Sequence, residues 1–141
     1  MGIYLKSIQE NKIQPRKIAK AGQANPFYSL AADCNKMDRD KNGVPKRETS
    51  GLSTLDLAVE LQKMAEGAGW RCSYSGAKLN LTPRDFFKIS FDRIDNTRGH
   101  SIDNLVVTSK LLNYMRGNMP YDEWLRRAMW KTPEMRQMTA A

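Results

Sequence analysis

The sequence predicts an α+β domain in which a short antiparallel hairpin and the helix after it pack with additional helices. Three observations predict it. Residues 88–92 (Lys-Ile-Ser-Phe-Asp) alternate polar and apolar side chains, the period of a half-buried strand. After a turn-rich connection, residues 105–107 (Leu-Val-Val) read as a second short strand. Segments of helical periodicity lie before and after this pair, at residues 53–65, 109–116 and 122–129.

Taken in order, residues 1–25 form a basic arm carrying Lys6, Lys12, Arg16, Lys17 and Lys20, with Pro15 and Gly22 interrupting any long helix. Residues 26–69 form a helical N-terminal segment. Its first helix, residues 26–35, places Phe27, Leu30 and Ala31 on one face. The polar stretch 37–51, with Gly43, Pro45 and Gly51, is a loop. Its opening, Asp38-Arg39-Asp40-Lys41-Asn42-Gly43, imitates a calcium-binding EF-hand loop, but the twelfth position is Thr49 rather than a bidentate Glu, and Pro45 interrupts it. An Asp/Asn/Gly turn is the better reading.

The clearest helix follows at residues 53–65. Ser53 caps it and Asp56, three residues on, complements the exposed amides. Leu55, Ala58, Val59 and Gln62 share a neighbourhood, Leu57, Leu61 and Met64 widen the apolar face, and Gly67 and Gly69 stop the helix. Residues 70–141 then hold a turn (Cys72-Ser73-Tyr74-Ser75-Gly76), the hairpin, its helix ending at Gly117, and a last amphipathic helix. In that helix Trp124, Leu125 and Ala128 face inward while Arg126 and Arg127 face out. Trp124 and Trp130 read as core or cover residues rather than base-stacking platforms.

Composition narrows the function. A net charge of +8 over 141 residues favours a polyanionic partner: DNA, RNA or an acidic membrane surface. No apolar run reaches the roughly 18–20 residues that span a bilayer. The first residues lack the apolar stretch of a signal peptide, and Lys6 stands where a myristoylation signal needs Ser or Thr. A cytoplasmic protein is therefore expected, with no membrane partner. Two cysteines, Cys34 and Cys72, are too few for a disulfide framework, and with one histidine they are too few for a zinc site.

The chemistry-bearing stretch runs Ile89-Ser90-Phe91-Asp92-Arg93-Ile94-Asp95-Asn96, then Gly99-His100, Asp103-Asn104-Leu105-Val106-Val107-Thr108 and Asn113. With the Cys72-to-Gly76 turn before it, this resembles the HNH endonuclease superfamily (His-Me finger, or ββα-metal). The resemblance is to the variant common among phage and prophage proteins, which carries Asp-Arg-Ile-Asp in place of Asp-His. It covers residues 70–118, about a third of the chain.

The resemblance implies a ββα-metal finger with Asp92 and Asn113 holding Mg²⁺ (or Mn²⁺), and Asn104 tying the loop backbone together. The residues themselves fit these tasks. A hard cation takes oxygen ligands and leaves positions for phosphate and water. If the strands pair antiparallel, the helix crosses them and brings Asn113 towards Asp92. An Asn, with both donor and acceptor, suits the partner-seeking amides of a loop.

One departure matters: Arg93 stands where most HNH enzymes have the histidine that deprotonates water. A guanidinium stays protonated and cannot serve as an ordinary base, but it can clamp a phosphate. The base is then either metal-bound hydroxide or His100, the only histidine in the chain. Asp95 and Asp103 are supporting carboxylates or turn and cap residues, the latter being the better reading for Asp103. Arg98, Lys110, Arg116, Arg126 and Arg127 form a basic rim that, with Lys17 and Lys20, contacts phosphates. The expected activity is divalent-metal-dependent hydrolysis of DNA phosphodiesters. The alternatives are a nucleic-acid-binding or regulatory protein that kept the finger without the base, and a structure-directed ribonuclease.

Overall fold

The computed structural model describes residues 25–127. Helix α1 spans Tyr28–Met37 and α2 spans Thr54–Gly67. Strand β1 is Ile89–Arg93, a single 3-10 turn covers Ile102–Asn104, and β2 is Leu105–Ser109. Helix α3, Lys110–Arg116, follows β2 directly, and α4 is Tyr121–Arg126. The architecture is thus α+β, an antiparallel two-stranded hairpin with a helix after it and further helices around it. None of the described helices is long and apolar enough to cross a membrane.

Local chemistry sets the helix starts. Ser53 is extended, and its Oγ accepts from the Asp56 amide at 3.1 Å, satisfying one of the donors that a first turn leaves over. Ser109 does the same for α3 through the Leu112 amide, also at 3.1 Å. Since Ser109 is also the last residue of β2, strand passes into helix with no intervening loop. The end of α3 is thereby fixed relative to the sheet.

The hairpin register pairs Ile89 with Ser109, Phe91 with Val107 and Arg93 with Leu105; Ser90 faces Thr108 and Asp92 faces Val106. Side chains alternate across a strand, so this register gives the sheet two unlike faces. Ile89, Phe91, Leu105 and Val107 are buried in the apolar core, with Phe27 packed edge-on to Phe91. The opposite face carries Ser90, Asp92 and Thr108, and α3 crosses it. Helices α1 and α2 contribute Ala31, Cys34, Leu57, Leu61 and Ala65 to the same core, so residues 26–69 share one hydrophobic cluster with the hairpin.

Two expectations need correction. In α2 the inward stripe is Leu57, Ala58, Leu61 and Ala65, whereas Leu55 and Val59 are exposed. The core takes the face spaced i, i+4, i+8 from Leu57, and Leu55 and Val59 lie off it. In α4, Trp124 is buried and Arg126 and Arg127 are exposed as expected. The helix begins one residue earlier than expected, at Tyr121 after Pro120, whose fixed φ suits a helix start. Ala128, Trp130 and residues 1–24 of the basic arm lie outside the described residues.

Candidate functional site

A cleft of about 450 Å³ lies between α1, β1, the 94–104 loop and α3. Asp92, Arg93, His100 and Asn113, all singled out from sequence, line it together with Ser90, Asn96 and, from α1, Asp33 and Cys34.

Asp92 comes from the polar face of β1 and is 5% exposed. Its Oδ2 is fully engaged: the Tyr74 hydroxyl donates to it, and Arg116 Nη1 donates at 2.8 Å. Its Oδ1 accepts from no described residue and is not sealed from solvent. One oxygen therefore anchors the side chain and the other is left for the cleft.

Asn113 repeats the pattern. Its Nδ2 donates to Ser90 Oγ at 2.7 Å, its Oδ1 accepts from no described residue, and the residue lines the cleft. Ser90 and Asp92 are two apart on one strand face, and Asn113 and Arg116 are three apart on one helix face. Helix α3 therefore meets β1 through two parallel contacts, Asn113 on Ser90 and Arg116 on Asp92.

Arg116 was expected on a basic rim that contacts nucleic acid. It is instead 2% exposed and works inside the fold. Besides Asp92 it donates to the carbonyls of Arg93, Ile94 and Met119, and its guanidinium lies 5.2 Å from the centre of the Tyr121 ring. A planar five-donor group suits such a junction, and a charge so deeply buried needs partners of this kind. Tyr74 completes the support, packed against Trp124 and Tyr121. Burial and then the Asp92 carboxylate push its hydroxyl well above the ordinary phenol range, so it remains a donor.

The loop between the strands is internally tied. Asn104, 1% exposed, accepts from the Asp95 amide at Oδ1 and donates from Nδ2 to the carbonyls of Asp95 and Gly99. Asp95 itself is exposed and caps a local turn through Thr97. Arg93 is half-buried, and its Nη1 donates to the carbonyls of Asn96 and Arg98 at 3.0 and 2.9 Å. Its Nε and Nη2 bond to no described residue and are not sealed. Burial, and next the nearby Arg47, draw its affinity for a proton down, yet a guanidinium remains a cation at neutral pH.

Arg98 is on the surface, but Glu48 and Asp103 both grip it, so its charge is largely matched within the chain. Lys110 is exposed as expected. Lys17 and Lys20 lie outside the described residues.

His100 is 4% exposed, and Asp38 holds it twice: the backbone N–H donates to Oδ2 at 2.8 Å, and Nδ1 lies 2.8 Å from Oδ1. Asp38 is fully buried at the end of α1 and is also 3.4 Å from Arg47 Nε. Desolvation lowers the imidazole's affinity for a proton, with Arg93 and Arg47 adding to it and Asp38 opposing. Cys34, on the cleft wall, is pushed up to about 12 by burial and by Asp38 and Asp33, so it stays a thiol.

Sequence reading did not find Tyr74, Asp38 or the internal role of Arg116. For Arg116 the signal was present, since it sits one helical turn beyond Asn113. Asp38 carried none, being 62 residues from its partner. Compared with known proteins, the chain matches no family model, no curated protein and no solved structure.

Proposed function

We propose that the chain is a divalent-metal-dependent endonuclease of HNH-like type that hydrolyses DNA phosphodiester bonds. The observation that carries this reading is the pair of open oxygens, Asp92 Oδ1 and Asn113 Oδ1. Each is held by a bond to the other end of its own side chain, and both belong to one cleft with Arg93.

Carboxylate and carboxamide oxygens are the donors that a hard cation such as Mg²⁺ or Mn²⁺ takes. Among the described residues no three His, Cys, Asp or Glu side chains cluster as a metal-holding group. Asp92 and Asn113 would hold the ion, with further positions left to substrate oxygens and water. When bound, the ion would neutralise charge on the phosphate and on the leaving oxygen. Arg93 supplies a second positive group whose unengaged donors can clamp a non-bridging phosphate oxygen. Asn104 and Arg116 hold the loop and strand end from which these groups project.

The net charge of +8 supports a nucleic acid as the polyanion. Because Arg116 is internal, Arg98 is matched by acids and Arg127 pairs with Glu123, contact with the duplex would fall to Arg93, Lys110, Arg126 and the basic arm with Lys17 and Lys20.

Plasmid incubated with the protein and Mg²⁺ or Mn²⁺ tests the reading. Nicking or linearisation is expected, abolished by chelation and by Asp92→Asn, and strongly reduced by Asn113→Ala and Arg93→Ala. Full cleavage by Asp92→Asn would overturn it. Retardation of DNA without cleavage under either metal would favour a binding protein, and a preference for structured RNA would favour a ribonuclease.

A further inference from the structure

The hydrolytic reading leaves a gap at Arg93, because this residue, next to Asp92, cannot take a proton. The cleft also holds the chain's one imidazole, a group that can. His100 Nδ1 is committed to Asp38, so the other ring nitrogen, Nε2, is the free end of the imidazole. Nε2 bonds to no described residue and is not sealed from solvent, although the side chain is only 5% exposed. His100 lines the same cleft as Asp92, Arg93 and Asn113.

The environment also sets the tautomer. A carboxylate oxygen 2.8 Å from Nδ1 accepts a hydrogen bond, so the proton of the neutral ring sits on Nδ1 and the lone pair on Nε2. Desolvation keeps the ring neutral near pH 7, with Arg93 and Arg47 the nearby cations and Asp38 the nearby anion.

We propose that Asp38, from the N-terminal helical segment, is the positioning residue that makes His100 the proton acceptor of this cleft. The inference rests on the hydrolytic reading and adds to it a residue outside the finger.

In the step, Nε2 takes a proton from water as the water oxygen bonds to phosphorus and the bond to the leaving oxygen breaks. The leaving oxygen takes a proton from solvent, and the imidazolium returns its own to solvent. Asp38 fixes the ring's rotation and tautomer and stabilises the imidazolium formed in the step.

Two further features hold the pair together. Gly99, the residue before His100, passes so close to the 38–48 loop that a Cβ there would lie 1.6 Å from the Glu48 carbonyl oxygen and 2.7 Å from Asp38 Oδ2. Arg98 bridges the same two segments through Glu48. The N-terminal segment therefore does more than wall the core: it supplies half of a dyad.

Because the chain has a single histidine, nitrogen NMR of ¹⁵N-labelled protein reads this ring without ambiguity. Above its titration the expected signature is a protonated Nδ1 and an unprotonated Nε2, lost or scrambled in Asp38→Asn. In the nuclease assay His100→Ala is expected to lower kcat by about 10²–10⁴-fold. DNA affinity and Mn²⁺ binding should stay intact, and added imidazole should restore part of the rate. Asp38→Asn should lower kcat by up to about 10⁴-fold with KM little changed.

A proton resident on Nε2 in the wild type, or a wild-type kcat in His100→Ala beside an inactive Asp92→Asn, would overturn the inference while leaving the nuclease reading standing. Cleavage that survives Asp92→Asn would instead remove the nuclease reading, and the NMR signature would still decide whether Asp38 sets the tautomer.

Discussion

Replacing Gly99 with Ala probes the junction on which the site's geometry depends. The added Cβ would be 1.6 Å from a backbone oxygen, Glu48 O, where ordinary contact begins near 3.4 Å. The two segments must therefore separate by about 1.8 Å, and the neighbour cannot rotate away because it is main chain. Gly99 has no left-handed backbone angle to complicate the substitution, so the effect is steric. Forcing one extra methyl into a packed contact costs about 1–3 kcal/mol. At about 2 kcal/mol, Tm should fall by roughly 4–8 °C for a chain of this size. The same displacement pulls Asp38 from His100, so the Nδ1 proton should exchange faster and cleavage should fall with it. Differential scanning fluorimetry and ¹⁵N NMR on one preparation check both effects. An unchanged Tm with an intact Nδ1 resonance would show that the two loops do not meet at Gly99, and the dyad would lose its structural basis.

Other outcomes follow from the same contacts. Arg116→Ala leaves the Asp92 carboxylate without its buried cation and removes the donor to three carbonyls. It should destabilise by about 3–5 kcal/mol, seen as a lower urea midpoint. A loss below about 1 kcal/mol would mean that Arg116 is a surface residue in solution. His100 gives a pH signature whose sign is fixed. Its folded proton affinity is depressed below the ordinary value of 6.5, so the unfolded chain binds the extra proton first. Stability should be full above about pH 6.5 and fall as pH drops towards the folded value, before the carboxylates titrate. Urea midpoints at pH 5–8 should show this slope in the wild type and a flatter one in His100→Gln; a wild type more stable at pH 5 than at pH 7 would contradict it.

Much of the fold was legible because its signals are local. Alternation over residues 88–92 marks β1, Ser53 with Asp56 marks the start of α2, and Ser109 marks the start of α3. The convergence of β1 and α3 followed from a hairpin register that alternation constrains. What failed to show was long-range. Asp38 meets His100 across 62 residues, and Tyr74 meets Asp92 across 18. No periodicity encodes either pairing. Arg116 illustrates a subtler limit: charge suggested a surface, whereas helical spacing from Asn113 pointed to the strand beneath. Spacing was the better guide, because α3 has only one face against β1 and a cation placed there must find its partners inside. Leu55 and Val59 show the converse, apolar residues left outside because the core admits only one stripe of α2.

The central claim is that two oxygens, one from β1 and one from α3, jointly grip a divalent cation. Mn²⁺ binding followed by electron paramagnetic resonance in wild type, Asp92→Asn and Asn113→Ala measures it directly, with thermal melts confirming that each variant is folded. The expected result is one Mn²⁺ per wild-type chain, displaced by Mg²⁺, with affinity lost in Asp92→Asn and weakened in Asn113→Ala. Equal Mn²⁺ affinity in all three folded proteins would contradict the claim.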